Sequence, residues 1–343
     1  MESLSERDRA LAERPTGGPR DAAGGASVAR ALLVSMRPPE WIKNLLVYAG
    51  LLFSQQFDDP ARVLDATLAF IAFCAISSAG YLVNDLRDVA FDRRHPEKRH
   101  RPIASGVLSE RIAWTAAIVL AVAAVGLALA AVSAEVGGLV ALYGAITVAY
   151  SLILKRLVIL DVMTIASLFI LRVVAGAVAV DAQASEWLLL CTGMLALFLG
   201  FTKRRQEAIE EMDSRPAESS AAASGSAGEG KESWAAASGS AESGVTRPVL
   251  EHYSVGFLDQ MVSMVTAAAI VSYAIYAVDS PKIGSEMLAT APSVLYGIFR
   301  YLYLIYDRRD TRSTAAILTE DPGMIFAAVT WVCTALLMLY AFN

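Results

Sequence analysis

An amide and three carboxylates stand close together at the start of NDLRDVAFDRRHPEKRHRPIASG, residues 84–106. Asn84, Asp88 and Asp92 are four residues apart, so on a helix they line one face, with Asp85 beside them. Crowded carboxylates repel one another unless a cation neutralises them. Mg²⁺ favours a few carboxylates, with water and phosphate oxygens completing its shell. The spacing predicts that these four residues hold Mg²⁺ on a phosphorylated substrate, which indicates an enzyme rather than a scaffold.

A shorter acidic pattern would indicate a solvated helix end that forms ion pairs with neighbouring arginines. The register of the acidic residues, and the basic HPEKRHRP that follows directly, favour the metal site. The three histidines, His95, His100 and His252, do not have metal-ligand spacing. The sequence also contains no Gly-rich phosphate loop, HExxH or GxSxG pattern.

Other basic residues lie at or inside apolar runs. LGFTKRRQE, residues 199–207, places Lys203 and Arg204 where they would either clamp a phosphate or stop a helix at the interface. Arg172 lies within a run, where an arginine costs about 2.5–3.5 kcal/mol on insertion scales. We therefore expect either an anion contact for Arg172 or an interior ion pair with Asp161. For Arg300 an internal pair or a snorkelling side chain is the favoured interpretation.

Membrane helices are the elements that must position these residues. The chain of 343 residues is 55% hydrophobic, with a mean hydropathy of +0.48, which is too apolar for an ordinary soluble domain. A helix that crosses the hydrocarbon needs about 20 mostly apolar residues. The sequence predicts nine such runs, 41–57, 67–87, 111–132, 136–154, 159–180, 186–206, 255–279, 287–306 and 322–341.

Basic residues are concentrated in alternate loops. The loops near 87–101, 155–156, 203–205 and 308–312 are rich in Lys and Arg, whereas those near 133–135, 181–185 and 280–286 carry only Lys282. The positive-inside rule then predicts a cytoplasmic N-terminus in the cell membrane and an external C-terminus. The acidic segment faces the cytoplasm, so its phosphorylated partner would be a cytosolic metabolite.

Two segments differ in composition from the membrane domain at 37–343. The first 30 residues are polar, and residues 1–36 are predicted to be a disordered cytoplasmic tail. Residues 213–247 are rich in Ala, Ser, Gly and Glu, and AAASGSA occurs there twice. We predict a disordered cytoplasmic insertion there, more readily a neutral one than a regulatory one. The three cysteines fall in apolar runs and are interpreted as packing residues.

NDLRDVAFD at 84–92 matches the pattern NDxxDxxxD, and the chain there resembles the UbiA superfamily of intramembrane prenyltransferases. RPPEWIKNLLV at 37–47, YSLILKRLVILDV at 150–162, KRRQE at 203–207 and RPVLEHYSVGFLDQM at 247–261 resemble its phosphoribosyl-transferring branch. The resemblance implies an all-α bundle of about nine membrane helices with a cytoplasmic active site. It implies Mg²⁺-dependent transfer of 5-phosphoribose from 5-phosphoribosyl 1-diphosphate to decaprenyl or another polyprenyl phosphate. The product would feed arabinogalactan synthesis in the cell wall of actinobacteria.

The region after the sixth predicted helix departs from the superfamily pattern. Ordinary members carry a second acidic motif, DxxxD, there, whereas this chain has KRRQE. Basic residues suit the 5-phosphate of a phosphoribosyl donor and the phosphate of a lipid. The residues predicted to bind these phosphates are Lys43, Asn44, Lys98, Arg101, Lys155, Arg172, Lys203 and Arg204, and the supporting residues are Tyr150, Asp161 and Glu207.

Two other functions stay open from the sequence. An aromatic or quinone prenyltransferase would consume a prenyl diphosphate, and a transporter would carry inverted repeats and broken midplane helices, which the sequence does not show clearly. The expected partners are the membrane, the donor and the lipid phosphate, without a nucleic acid. Exposed faces of the membrane domain and the resemblance together favour a homo-oligomer, for which a trimer is the form we expect.

Overall fold

The computed structural model describes residues 20–95, 98–214, 253–279, 284–310, 312 and 314–341. Across these residues the chain is helical and contains no β-strand, as predicted. The predicted insertion at 213–247 lies outside the described residues except for its first two, which end a helix. The helices are α1 Arg20–Met36, α2 Ala49–Ser54, α3 Pro60–Arg87, α4 Val89–Asp92, α5 Glu110–Ala131, α6 Ala134–Leu152, α7 Leu160–Ala179, α8 Glu186–Ser214, α9 Val255–Val278, α10 Ala291–Tyr306, α11 Thr314–Glu320 and α12 Pro322–Ala341.

Seven helices in the described part of the chain are long and apolar enough to cross a membrane. They are α3, α5, α6, α7, α8, α9 and the helix that ends at Tyr306, and each matches a predicted run. An eighth span results if α11 and α12 are counted together, although the chain bends by 74° between them. The prediction of long apolar helices is confirmed, and the count of about nine is approximate.

The predicted span 41–57 is not one membrane helix. Pro38–Tyr48 forms a 3-10 helix, here called the 3-10 segment, and α2 follows it. A Cβ on Gly176 of α7 would lie 1.8 Å from the Val47 carbonyl oxygen, so the backbones of α7 and the 3-10 segment are in direct contact. The 3-10 segment is therefore fixed against α7 rather than running through the bilayer as an independent helix.

Helix α1 lies within the range predicted to be a disordered tail. Its last turns carry apolar side chains, and Ala31 is buried in a cluster with Leu82 of α3 and Val89 of α4. The Ser35 hydroxyl donates to the Ala31 carbonyl at 2.9 Å. This burial explains why at least Ser27–Met36 is ordered, since it offsets part of the entropy that ordering costs.

Two hydrophobic cores hold the bundle together. One joins α3, α5, α6 and α7 around Phe73 and Tyr143, and the other joins α8, α9, α10 and α11 around Phe198 and Tyr301. Val162 of α7 belongs to the second core, so α7 connects the two halves. This packing brings the ends of α3, α6 and α8 and the starts of α7 and α9 to one end of the molecule, here called the rim.

Candidate active site

The rim is where the acidic segment lies. Helix α3 ends at Arg87, and Asp88 leaves helical geometry with φ −95° and ψ 4° before α4 begins. The Asp92 N–H still donates to the Asp88 carbonyl at 2.7 Å, so the chain continues after a slight bend. The side chains nevertheless separate into two pairs, Asn84 with Asp88 and Asp85 with Asp92, and each pair has its own cation.

Arg101 links Asp85 and Asp92. Its Nη1 lies 3.2 Å from Asp85 Oδ1 and 2.7 Å from Asp92 Oδ2. Arg37, just before the 3-10 segment, donates to the same Asp85 oxygen at 2.6 Å and lies over the Tyr81 ring at 5.1 Å. Both carboxylates are buried, with 3% and 2% of their surface exposed. Burial of these charges is therefore balanced by two guanidinium groups.

Lys155 neutralises the other pair. Its Nζ lies 2.6 Å from Asp88 Oδ1 and 3.5 Å from Asn84 Oδ1. The Asp88 side chain is 29% exposed, so this pair is the more accessible one. Lys98, which was also predicted to bind phosphate, lies over the Phe91 ring at 5.8 Å. The structure thus brings Lys155 and Arg101 onto the acidic segment, and Lys98 onto a neighbouring aromatic ring.

A third ionic group lies on the 3-10 segment. Lys43 pairs with Glu40 one turn earlier, and both side chains are partly exposed. Burial alone would raise the pKa of Glu40, but the nearby charges of Lys43, Lys203 and Arg37 lower it overall. Lys203, which is exposed on α8, therefore contributes to the same cationic region as Lys43.

Arg204 is held inside the rim by oxygen acceptors. Its Nε donates to Asp161 at 2.6 Å, its Nη1 to Glu207 at 2.5 Å and its Nη2 to the Tyr150 hydroxyl at 3.3 Å. Arg204 is 2% exposed and Asp161 is fully buried. Three of its five N–H donors are used in these contacts, and burial leaves the guanidinium almost inaccessible to a phosphate from solvent. Asp161 thus pairs with Arg204 rather than with Arg172.

A strained turn lies beside this ion cluster. Ile159 has φ 68° and ψ −47°, and the Leu160 N–H donates to the Val158 carbonyl at 2.8 Å, which is a classic γ-turn. The Ile159 N–H donates to the Tyr253 hydroxyl at 2.6 Å, and that hydroxyl donates to Asp161 at 2.8 Å. Burial, reinforced by Asp161, raises the pKa of Tyr253, so the phenol keeps its proton.

Arg172 is buried in the first core and has neutral acceptors. It donates to the Asn44 side-chain oxygen at 2.7 Å, to the Leu168 carbonyl at 2.9 Å and to the Tyr143 hydroxyl at 2.5 Å. Asn44 is itself buried, and its amide nitrogen lies 3.3 Å from Cys74 Sγ. The structure therefore joins two predicted phosphate-binding residues to each other, and in this arrangement Arg172 anchors the 3-10 segment to α7.

An apolar cavity of about 830 Å³ opens near the rim. The 3-10 segment, α2, α8, α9, α10, α11 and α12 line it, mostly with Leu, Phe, Ile, Val and Ala side chains. Ile42 and Leu199 mark the part of its wall that is nearest the rim in sequence. The polar site and a hydrocarbon-lined space are therefore adjacent in one molecule.

Mg²⁺ is the metal that the acidic segment suits by chemistry. Among the described residues no three His, Cys, Asp or Glu side chains converge as a ready metal cage. Mg²⁺ does not require such a cage, because it is usually bound through one or two carboxylates with water and substrate phosphate oxygens. The hard oxygens of Asn84, Asp85, Asp88 and Asp92 therefore fit this ion, although Lys155 and Arg101 contact several of them here.

Three residues of the rim were missed as individual site residues. Arg37 and Glu40 lie within the RPPEWIKN stretch, where the prolines and Trp41 indicated only an interfacial anchor. Tyr253 lies far along the chain from Asp161, and nothing in its local sequence indicates that contact. An arginine and a glutamate flanking a double proline, close to a predicted cationic site, were the available signal for the first two.

Comparison with known proteins matches residues 44–214 to the UbiA prenyltransferase family. The decaprenyl-phosphate phosphoribosyltransferase of Mycolicibacterium smegmatis is 38% identical over 198 residues, which are 57% of this chain and 60% of that enzyme. The enzyme of the same name from Corynebacterium glutamicum is 28% identical over 322 residues, 92% of this chain and 88% of that enzyme. The stronger of these two likenesses thus spans less than two thirds of the relative's length.

The fold is similar to that of solved UbiA proteins. The structure of a UbiA homologue from Archaeoglobus fulgidus bound to GPP and Mg²⁺ superposes with a TM-score of 0.65 at 19% identity. That likeness covers 90% of this chain and 99% of the archaeal one. At this identity the likeness concerns the fold.

Proposed function

Because the chain belongs to the UbiA prenyltransferase family and is a multi-pass membrane protein, we propose that it transfers 5-phosphoribose from 5-phosphoribosyl 1-diphosphate to a polyprenyl phosphate. The observation that carries the proposal is that an acidic segment, a cationic rim and an apolar cavity lie next to one another. Arg101 and Lys155 already balance the charge of the acidic segment. Two phosphate-bearing substrates, one with a long hydrocarbon chain, suit this arrangement. The names of two bacterial relatives support the same reaction.

Asn84, Asp85, Asp88 and Asp92 are the residues that would hold Mg²⁺. When bound, the ion would supply charge stabilisation to the diphosphate as it departs, an effect of several kcal/mol in metal-assisted reactions. In the structure Lys155 and Arg101 already neutralise these carboxylates. With donor present we expect both cations to contact phosphate oxygens instead, so that the site keeps its charge balance.

The remaining chemistry is displacement at the anomeric carbon. An oxygen of the lipid phosphate attacks that carbon, and the bond to the diphosphate breaks with the electron pair leaving on the diphosphate. The attacking phosphate is already an anion, so no side chain needs to remove a proton. The chain's own residues contribute positioning and electrostatic stabilisation. Arg204 and Arg172 contribute indirectly, since their hydrogen bonds hold α7, α8 and the 3-10 segment in place.

The rim carries the basic loops, so we place it in the cytoplasm together with the N-terminus. Lys155, Arg156 and Arg101 are among the residues that give it this charge. Cytosolic donor would then reach the acidic segment directly, and the product would enter arabinogalactan synthesis. We also expect a homo-oligomer, with a trimer as the form that mass measurement in detergent should test.

A direct assay separates the candidate functions. Purified full-length protein is given labelled phosphoribosyl diphosphate, polyprenyl phosphate and Mg²⁺, and both diphosphate release and labelled lipid are measured. Asp88→Asn and Asp92→Asn should each lower turnover by about 100-fold or more, because they weaken a contact worth several kcal/mol. Asp279→Asn, at an exposed helix end, is the matched control.

Consumption of a prenyl diphosphate with indifference to phosphoribosyl diphosphate would show that the protein is a prenyltransferase instead. Substrate movement across the membrane without chemical change would show a transporter. Near-normal turnover in both aspartate variants would rule out the metal assignment.

A further inference from the structure

The apolar cavity has two long walls that run in opposite directions along the chain. The 3-10 segment and α2 line it from Ile42 to Phe53, and α8 lines it from Leu188 to Leu199. From Leu188 to Leu199 the helix rises by about 16 Å, so the α8 wall can line an extended hydrocarbon chain over that distance. Both walls reach the rim at the Ile42 and Leu199 end.

That end of the cavity carries positive charge. Lys43 directly follows Ile42 in sequence, and Lys203 lies one helical turn beyond Leu199 on α8. Residues four apart share a helix face, so Lys203 continues the face that lines the cavity. Glu40 pairs with Lys43. The charges of Lys43 and Lys203 both act to lower the Glu40 pKa, which agrees with the position of the two lysines at this end of the cavity.

We propose that Lys43 and Lys203 bind the phosphate of the lipid acceptor at the mouth of the apolar cavity, and that Glu40 takes the place of this phosphate when no lipid is bound. The assignment rests on the proposed function. It gives the phosphate of the lipid acceptor a binding position different from that of the donor. The donor has no hydrocarbon to bury, and Lys155 and Arg101 already lie on the acidic segment that would hold its diphosphate. Only a phosphate attached to a long apolar chain would contact this pair of lysines and fill the apolar cavity at the same time.

The test measures binding without donor or metal, on the full-length protein in detergent. The probes are farnesyl phosphate, farnesol and inorganic phosphate. Wild-type protein should bind farnesyl phosphate at least about tenfold more tightly than farnesol, as expected for charge-assisted contacts. In Lys43→Gln and Lys203→Gln this preference should fall about tenfold while farnesol binding stays unchanged. Glu40→Gln should increase the preference, because a competing carboxylate is removed.

Arginine at either position should preserve the preference, which distinguishes lost charge from lost folding. Arg111→Gln is the control, since Arg111 is an exposed cation at the start of α5 and does not line the cavity. An unchanged ratio in both lysine variants would overturn the assignment. Displacement of farnesyl phosphate by inorganic phosphate at equal concentration would also overturn it, by showing a site for free phosphate.

Failure of the proposed function has a different signature. The protein would then show no transfer from phosphoribosyl diphosphate, while the lysine-dependent preference for farnesyl phosphate persists. Failure of this inference alone would leave transfer intact, with an unchanged KM for the lipid in both lysine variants.

Discussion

Replacing Asp161 by Asn tests whether the Arg204 cluster is structural. Asp161 is fully buried and accepts hydrogen bonds from Arg204 at 2.6 Å and from Tyr253 at 2.8 Å. The amide has nearly the same shape as the carboxylate but carries no charge. Arg204 would keep its contact with Glu207, and its second ionic partner would be lost.

The expected loss of stability follows from this geometry. Removing one partner of a buried ion pair costs about 3–5 kcal/mol, because the other charge is left uncompensated. Glu207 still faces Arg204, so we expect the lower end, about 3 kcal/mol. That corresponds to a decrease of roughly 150-fold in the ratio of folded to unfolded protein. The double variant Asp161→Asn with Arg204→Gln should lose less than the sum of the single losses, because it removes the buried pair together.

Reversible unfolding in mixed micelles, followed by tryptophan fluorescence, measures these free energies. Asp279→Asn makes the same chemical change at an exposed helix end and should change stability by less than about 0.5 kcal/mol. The KM for phosphoribosyl diphosphate is measured on the same proteins under conditions where all are folded. If Arg204 is structural, Arg204→Gln leaves this KM close to that of the wild type.

Two results would refute the reasoning. One is a loss below about 1 kcal/mol in Asp161→Asn, since that is smaller than the removal of a single hydrogen bond to a charged group. The other is additivity of the two single variants, which would mean that Asp161 and Arg204 do not interact. A large rise in the KM for phosphoribosyl diphosphate in Arg204→Gln, with unchanged stability, would instead indicate that Arg204 binds phosphate, as predicted from KRRQE.

Two substitutions test the backbone geometry around the site. Gly176→Ala would put a Cβ 1.8 Å from the Val47 carbonyl oxygen, so it should displace the 3-10 segment and destabilise the protein by about 1–3 kcal/mol, as overpacking does. Gly138→Ala, where the new Cβ has no neighbour within 4 Å, is the control and should be neutral or slightly stabilising. Equal effects of the two substitutions in the same unfolding measurement would contradict the close contact. Ile159→Gly should raise the free energy of unfolding by about 1 kcal/mol, because the relief of strain in the γ-turn outweighs the greater conformational freedom of glycine in the unfolded chain. Ile153→Gly, at a residue with negative φ, is the control and should lower the free energy of unfolding by about 0.5–1 kcal/mol. Destabilisation of both variants to the same extent would show that Ile159 is not strained.

Much of the membrane domain could be predicted from composition along the chain. Long apolar runs between basic loops specify membrane helices because any backbone in hydrocarbon must satisfy its own hydrogen bonds. The run at 41–57 is the informative exception. Its hydropathy resembles that of a span, but two prolines start it in a 3-10 conformation and the glycine at 176 lets α7 contact its backbone. That contact depends on a residue more than a hundred positions away and leaves no local signal.

The sequence by itself determined that this chain is an all-helical membrane protein that resembles the UbiA family and has an acidic segment at a helix end, because residue type and four-residue spacing are local properties. Which cation meets which carboxylate was decided only by tertiary structure. The pairing of Asp161 with Arg172 that the sequence left open does not form, because eleven residues of α7 separate the two by about 16 Å. Asp161 instead pairs with Arg204 of α8, and Arg172 donates to Asn44. Charges in a low-dielectric interior take the partners that packing brings within hydrogen-bond distance, and packing joins segments that lie far apart along the chain.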